Sequence, residues 1–158
     1  MKKSVIVLSL FALAACTSNA ADSSPPPEKK QTQSFKGIEA PTRDDVALQI
    51  TGADNGGVVK AAAGTTISVA LVGVPTAGYQ WAPAAVPPFL VADGETGGPT
   101  SEAQLQPGFS GGSHWEVFFF RVTGEGEGVL KFEQRRPWEE ETDPPSDEFS
   151  VTVSASAR

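Results

Sequence analysis

The chain has one cysteine and one histidine, Cys16 and His114, among 158 residues. A thiol–imidazole mechanism needs both groups in one folded unit. Cys16 closes an export segment, so that chemistry is excluded. One Cys and one His also exclude a His pair, a cysteine-rich zinc site and an intramolecular disulfide. Ser110 and Ser113 stand near His114, but no nucleophile-elbow motif surrounds them, and adjacent strand residues point to opposite faces. The acids Glu139-Glu140-Glu141 and Asp147-Glu148 lie beside prolines and fit a solvated turn better than a glycosidase pair. Asp54-Asn55-Gly56-Gly57 lacks the spaced oxygen ligands of a calcium loop and suggests a hairpin turn seeded by Asn-Gly. Gly124-Glu125-Gly126-Glu127-Gly128 lacks the strand–helix setting of a phosphate loop. No catalytic residue, no metal and no cofactor is expected.

What remains is binding chemistry, concentrated in three connections. The first holds Val74-Pro75-Thr76-Ala77-Gly78-Tyr79. Pro75 limits the backbone, and Gly78 permits a turn that a side chain would block. Thr76 and Ala77 are small enough to enter a narrow cleft. The second runs from Gln106 to Ser113, where Gly111 and Gly112 let another backbone come close. The third holds Arg136-Pro137-Trp138: a cation, a stiff hinge and a large aromatic face. Trp and Arg are enriched among the residues that carry interface energy. Trp81, inside a strand, is expected in the core, and Trp138 on the surface.

These loops need a frame of strands. Residues 46–50, 66–72, 79–81, 89–91, 114–122, 128–134 and 149–153 are rich in Val, Ile, Phe and Trp. In several of them the apolar residues alternate. Ile67, Val69 and Leu71 share one face, as do Phe118, Phe120 and Val122. Leu130 and Phe132 point inward, as do Phe149, Val151 and Val153. Trp115, Val117 and Phe119 lie on the opposite side of their strand, so that side is not fully wet. Period-two patterning in several short segments fits an all-β, two-layer sandwich of antiparallel sheets. In a sandwich, alternate connections emerge at the same end. If the three loops follow alternate strands, they share one tip, a rigid binding edge.

The rest of the chain carries this domain to its place. Residues 1–15 have a lysine start and a short apolar core, the form of a secretory signal. Leu13-Ala14-Ala15-Cys16 resembles the bacterial lipobox, which implies cleavage before Cys16 and its lipidation. Thr17 follows where Asp is absent, which implies sorting to the outer membrane, facing the periplasm or the cell surface. Acyl chains on Cys16 would make the lipid bilayer a partner through hydrocarbon burial. Residues 16–39, with Pro25-Pro26-Pro27, have no apolar periodicity and form a flexible tether. The folded domain is expected over 40–156. The formal net charge of −7 gives no basic surface for nucleic acid. Nothing demands more than a monomer. Composition and pattern alone reach a β-sandwich binding module; with the anchor that the lipobox resemblance implies, one reading is a lipid-anchored module for adhesion or ligand binding.

The loops go further. Pro75-Thr76-Ala77-Gly78-Tyr79, the glycine pair Gly111-Gly112 after Phe109-Ser110, and Arg136-Pro137-Trp138 come in an order and spacing that resemble the chagasin family, protein inhibitors of papain-like cysteine proteases. Trp81 and the phrase Glu116 to Arg121 fit the family as well. The chain departs from the family pattern at Val74, where Asn is usual, and at Ala77, where Thr is usual. The resemblance implies an immunoglobulin-like sandwich whose three loops form a wedge across the protease cleft. Thr76, Ala77 and Gly78 would lie at the protease thiolate, with Pro75 and Tyr79 flanking them. Gly111 and Gly112 would clamp one side, and Arg136, Pro137 and Trp138 would pack on the other.

Overall fold

The computed structural model describes residues 37–139 and 142–158. Cys16, the expected signal and the tether up to residue 36 lie outside the described residues. Eight strands follow in order: β1 (Val46–Thr51), β2 (Val58–Ala62), β3 (Thr66–Gly73), β4 (Gln80–Ala85), β5 (Leu90–Pro99), β6 (His114–Val122), β7 (Gly126–Arg135) and β8 (Asp147–Ser156). Short 3₁₀ turns occupy Gly52–Asp54, Pro75–Ala77 and Glu102–Leu105. One sheet has the order β1-β3-β6-β5, the other β2-β8-β7-β4.

The two sheets bury the alternating residues between them. Ile67, Val69 and Leu71 of β3 face Leu130 and Phe132 of β7 and Phe149, Val151 and Val153 of β8 in one core. Phe132 is central: its ring lies 4.9 Å from Phe118, 6.2 Å from Phe120 and 6.3 Å from Phe149. Tilted and edge-on contacts at these distances suit the ring quadrupoles. Trp81 belongs to this core, and its indole N–H donates to the Val72 carbonyl at 3.0 Å. The opposite face of β6 is also dry. Val117 and Phe119 pack with Ala70 under Ala40, Val46 and Trp115. The segment before β1 is held there by Arg43, which pairs with Asp45 and Asp93 and lies 4.4 Å over the Phe119 ring. Trp115 adds a bond from its indole N–H to the Ile38 carbonyl at 2.8 Å.

The sandwich is as expected, but its pairing is mixed rather than purely antiparallel. β1 runs parallel to β3, and β2 runs parallel to β8. The cause is the Asn55-Gly56 corner. It was expected to close a hairpin, but β1 and β2 lie in different sheets. Thr51 and Asp54 cap the 3₁₀ turn reciprocally, and Asn55 Oδ1 accepts from the Ser150 N–H of β8 at 2.9 Å. The chain therefore changes sheets here, and one continuous run forms an edge of both.

The remaining pairings fix the direction of every strand. β6 is antiparallel to both β3 and β5, with His114 opposite Gly73 and Pro99. In the other sheet Gln80 lies opposite Arg135, and Gln134 opposite Asp147. So β3, β5 and β7 all end where β4, β6 and β8 begin. The loops 74–79 and 100–113 and the described residues of the loop 136–146 share one end of the sandwich.

Candidate functional site

The first loop is closed on itself. Val74 and Tyr79 form an isolated antiparallel bridge. Between them Pro75 opens a 3₁₀ turn, where its missing N–H costs nothing. Ala77 N–H donates to Val74 O and Gly78 N–H to Pro75 O, both at 2.9 Å. Gly78 ends the turn at φ +85°, a conformation that side chains disfavour. Val74 supplies no side-chain cap, so within the turn itself the closing bonds are backbone ones. Thr76 and Ala77 are exposed at its crest.

The third loop packs directly on the first. Arg136 Nε donates to the Ala77 carbonyl at 3.2 Å, and the guanidinium lies 4.2 Å over the Tyr79 ring. A Cβ on Gly78 would stand 2.2 Å from Trp138 Cη2, so only glycine lets the indole lie where it does. Trp138 is nonetheless 70 % exposed. Pro137 is exposed beside it. Glu139 turns back on this loop: its carboxylate accepts from Arg136 N–H at 3.2 Å and pairs with the guanidinium at 3.5 Å. Arg135 donates to the Asp143 carbonyl, and Ser146 Oγ to the Gln134 carbonyl at 2.8 Å, which closes the loop base.

The second loop is braced internally. Gln104 Oε1 accepts from the N–H groups of Thr100 (2.6 Å) and Ser101 (2.9 Å), and its amide nitrogen donates to Ser113 O at 2.6 Å. Gly111 and Gly112 have φ of +87° and +92°. A Cβ on Gly112 would press on the Gln104 amide at 3.0 Å. Ser113 Oγ shares a hydrogen bond with Thr100 Oγ1 at 2.9 Å, which braces the base of this loop. Leu105 and Phe109 stand exposed on this loop. Sequence reasoning used Phe109 only to align the glycine pair and passed over Leu105 and Gln104.

Pro75, Thr76, Ala77, Gly78, Tyr79, Arg136, Pro137 and Trp138 thus form one joined surface. Gly111 and Gly112 lie at the same end on a separately braced loop. A groove of about 620 Å³ opens beneath the first loop, lined by Pro75, Trp81, Glu95, His114 and Glu116 among others. Burial pushes the Glu116 carboxyl above its ordinary range, opposed in part by the hydrogen bond from Trp81 N–H. The sequence reading named Glu116 only as the start of a family-like phrase, although a carboxylate at the inward position before Phe118, Phe120 and Val122 was a signal. Among the described residues no group of three His, Cys, Asp or Glu is placed to hold a metal. The arrangement offers a contact surface at one end of the sandwich.

Residues 60–153 match the family model of the chagasin family peptidase inhibitors. Among solved structures, the chain is similar to the cysteine protease inhibitor EhICP2 from Entamoeba histolytica, with TM-score 0.58 and 17 % identity over 70 % of this chain and 98 % of that one. It is also similar to Amebosin (TM-score 0.48, 24 % identity, 69 % and 97 % covered). A third is PbICP-C, solved in complex with falcipain-2 (TM-score 0.41, 11 % identity, 77 % and 98 % covered). EhICP2 supports the sandwich architecture. No curated protein sequence gives a significant match.

Proposed function

This chain belongs to the chagasin family, whose members inhibit peptidases and are not enzymes, and from that premise we propose that it is a reversible, tight-binding inhibitor of papain-like cysteine proteases that occludes the active-site cleft with its three loops. The observation that carries this reading is the joined tip: Trp138 seated on Gly78, Arg136 bonded to Ala77, and the crest Thr76-Ala77 left exposed. A preformed edge of this kind loses little freedom on binding, which favours affinity. The crest enters the cleft and stands over the catalytic thiolate. Gly111 and Gly112 rest against one wall, and Arg136, Pro137 and Trp138 against the other, with Trp138 as the aromatic anchor.

Such a loop blocks substrate without becoming one. Cleavage is disfavoured if this turn, closed by the Ala77 and Gly78 amides on the Val74 and Pro75 carbonyls, passes the thiolate without presenting a crest carbonyl in attack geometry. Inhibition on this account needs no covalent bond. Acyl chains on Cys16 anchor the protein to the outer membrane, facing the periplasm or the cell surface, with the tether carrying the wedge to its target. The test is titration of papain with the protein: activity falls linearly to zero at one equivalent and returns on dilution. Undiminished activity at micromolar protein against several papain-like enzymes would refute the reading.

A further inference from the structure

Glu116 occupies a position the fold should give to an apolar side chain. It follows the same inward alternation as Phe118, Phe120 and Val122 of β6, whose side chains fill the core. Its carboxylate instead reaches across the open end of the sandwich. Oε2 accepts from the Trp81 N–H, the second residue of β4, at 2.8 Å. Oε1 lies over Gly73, the last residue of β3, where a Cβ would stand 1.8 Å away. That oxygen is buried and has no hydrogen-bond partner. Trp81 meanwhile ties its indole back to Val72. One carboxylate and one indole therefore clasp both stems of the first loop, β3 leaving and β4 returning.

We infer that Glu116 is a positioning residue for the binding tip, a strut that sets the angle and order of the loop 74–79. This inference rests on the inhibitory reading of that loop. The strut opposes folding. A carboxylate with a buried, unpartnered oxygen is desolvated without full compensation. Its proton affinity is raised chiefly by that burial, with Glu95 of β5 raising it further and His114 of β6 lowering it. The facing groups on β3 and β4 are the Gly73 backbone and the Trp81 N–H, neither of them titratable. Because the folded carboxyl holds its proton more tightly than the unfolded one, its contribution to stability is greatest at low pH and is lost as pH rises through the folded value. The hydrogen bond it accepts runs the other way: charge-assisted when ionised, weaker when protonated. Stability and binding should thus respond oppositely to the same proton, which a residue serving only the fold would not produce.

The experiment compares the full chain with Glu116→Gln and Gly73→Ala. The first removes the charge. The second leaves it but pushes the carboxylate aside by the added methyl group. Binding is measured to a papain-like peptidase whose catalytic cysteine is replaced by alanine, so that the enzyme's thiolate does not contribute to the pH profile. Glu116→Gln should bind about fivefold more weakly at pH 7, the difference between a charged and a neutral acceptor. It should melt no lower than wild type, and its Trp81 amide should exchange faster. Gly73→Ala should bind at least as weakly, and the double variant no worse than the weaker single one. Wild-type affinity should fall on acidification, beginning above the ordinary glutamate value of 4.5, and Glu116→Gln should lack this step. Binding at the wild-type level by both variants, losses that multiply in the double variant, a clearly lowered melting temperature of Glu116→Gln, or unchanged Trp81 exchange would each overturn the inference. A wild-type chain that binds no such peptidase would overturn the inhibitory reading instead. The two failures are separable, because amide exchange reports the strut without any peptidase.

Discussion

Replacing Gly78 by alanine tests how the tip is assembled. Gly78 has φ +85°, and its Cβ would lie 2.2 Å from Trp138 Cη2. The left-handed conformation costs an L-residue about 1–2 kcal/mol. The clash adds little to folding, because Trp138 is 70 % exposed and can swing out. For a domain of this size the strain alone lowers the melting temperature by roughly 4–8 °C. Binding suffers more. Displacing an aromatic anchor from its seat should cost at least about 1.4 kcal/mol, or ~10-fold in affinity, the same floor as deleting it. Gly64 supplies the control. It has φ +82°, with nothing within 4 Å of its Cβ position. It lies at the far end of the sandwich, where its N–H donates to Val122. Gly64→Ala should therefore melt about as early as Gly78→Ala and inhibit like wild type. The assay is a thermal melt and a papain titration of all three proteins, with indole fluorescence reporting the displaced ring. If Gly78→Ala inhibits within twofold of wild type, the seat of Trp138 on Gly78 has no part in binding.

Three further outcomes are expected. Trp138→Ala should weaken inhibition at least tenfold while shifting the thermal melt by no more than about 0.5 kcal/mol, the usual effect of an exposed change; unchanged inhibition would remove its anchor role. Phe132→Ala should cost about 3–5 kcal/mol in urea unfolding, because its ring joins those of Phe118, Phe120 and Phe149; a loss under 1 kcal/mol would mean the core can close over the gap. Lys131 first and Arg135 second hold the Glu133 carboxyl below its ordinary value of 4.5. A depressed folded value gives stability that is present above the unfolded value and lost as pH falls through the folded one, so Glu133→Gln should flatten the acid side of the stability curve.

The sequence was legible where a residue's environment is set by its own strand. Ile67, Val69 and Leu71, or Phe149, Val151 and Val153, alternate cleanly because one side of each strand is core. β2 was passed over. Its Val58 is 66 % exposed, and Lys60 and Ala61 give no alternation, since an edge strand needs little apolar surface. The far half of β5, with Gly94, Gly97 and Gly98, looks like a loop and becomes a strand only by pairing with the aromatic β6. The loops were recognisable by composition, but their joining was not. The contact of Gly78 with Trp138, and the reach of Glu116 to Trp81 across 35 residues, exist only once both sheets have assembled. Glu139 shows the same limit: it stood in an acidic run and in the fold serves Arg136.

The central claim is that the crest Thr76-Ala77-Gly78 covers the catalytic cysteine of the bound peptidase. Alkylation of that cysteine by iodoacetamide reads this directly. With the protein bound at one equivalent, the thiolate should be protected in proportion to the complex formed, and dilution should restore its reactivity. Alkylation at the free-enzyme rate in a complex shown to be saturated would contradict the account, because the loops would then be bound somewhere other than the cleft.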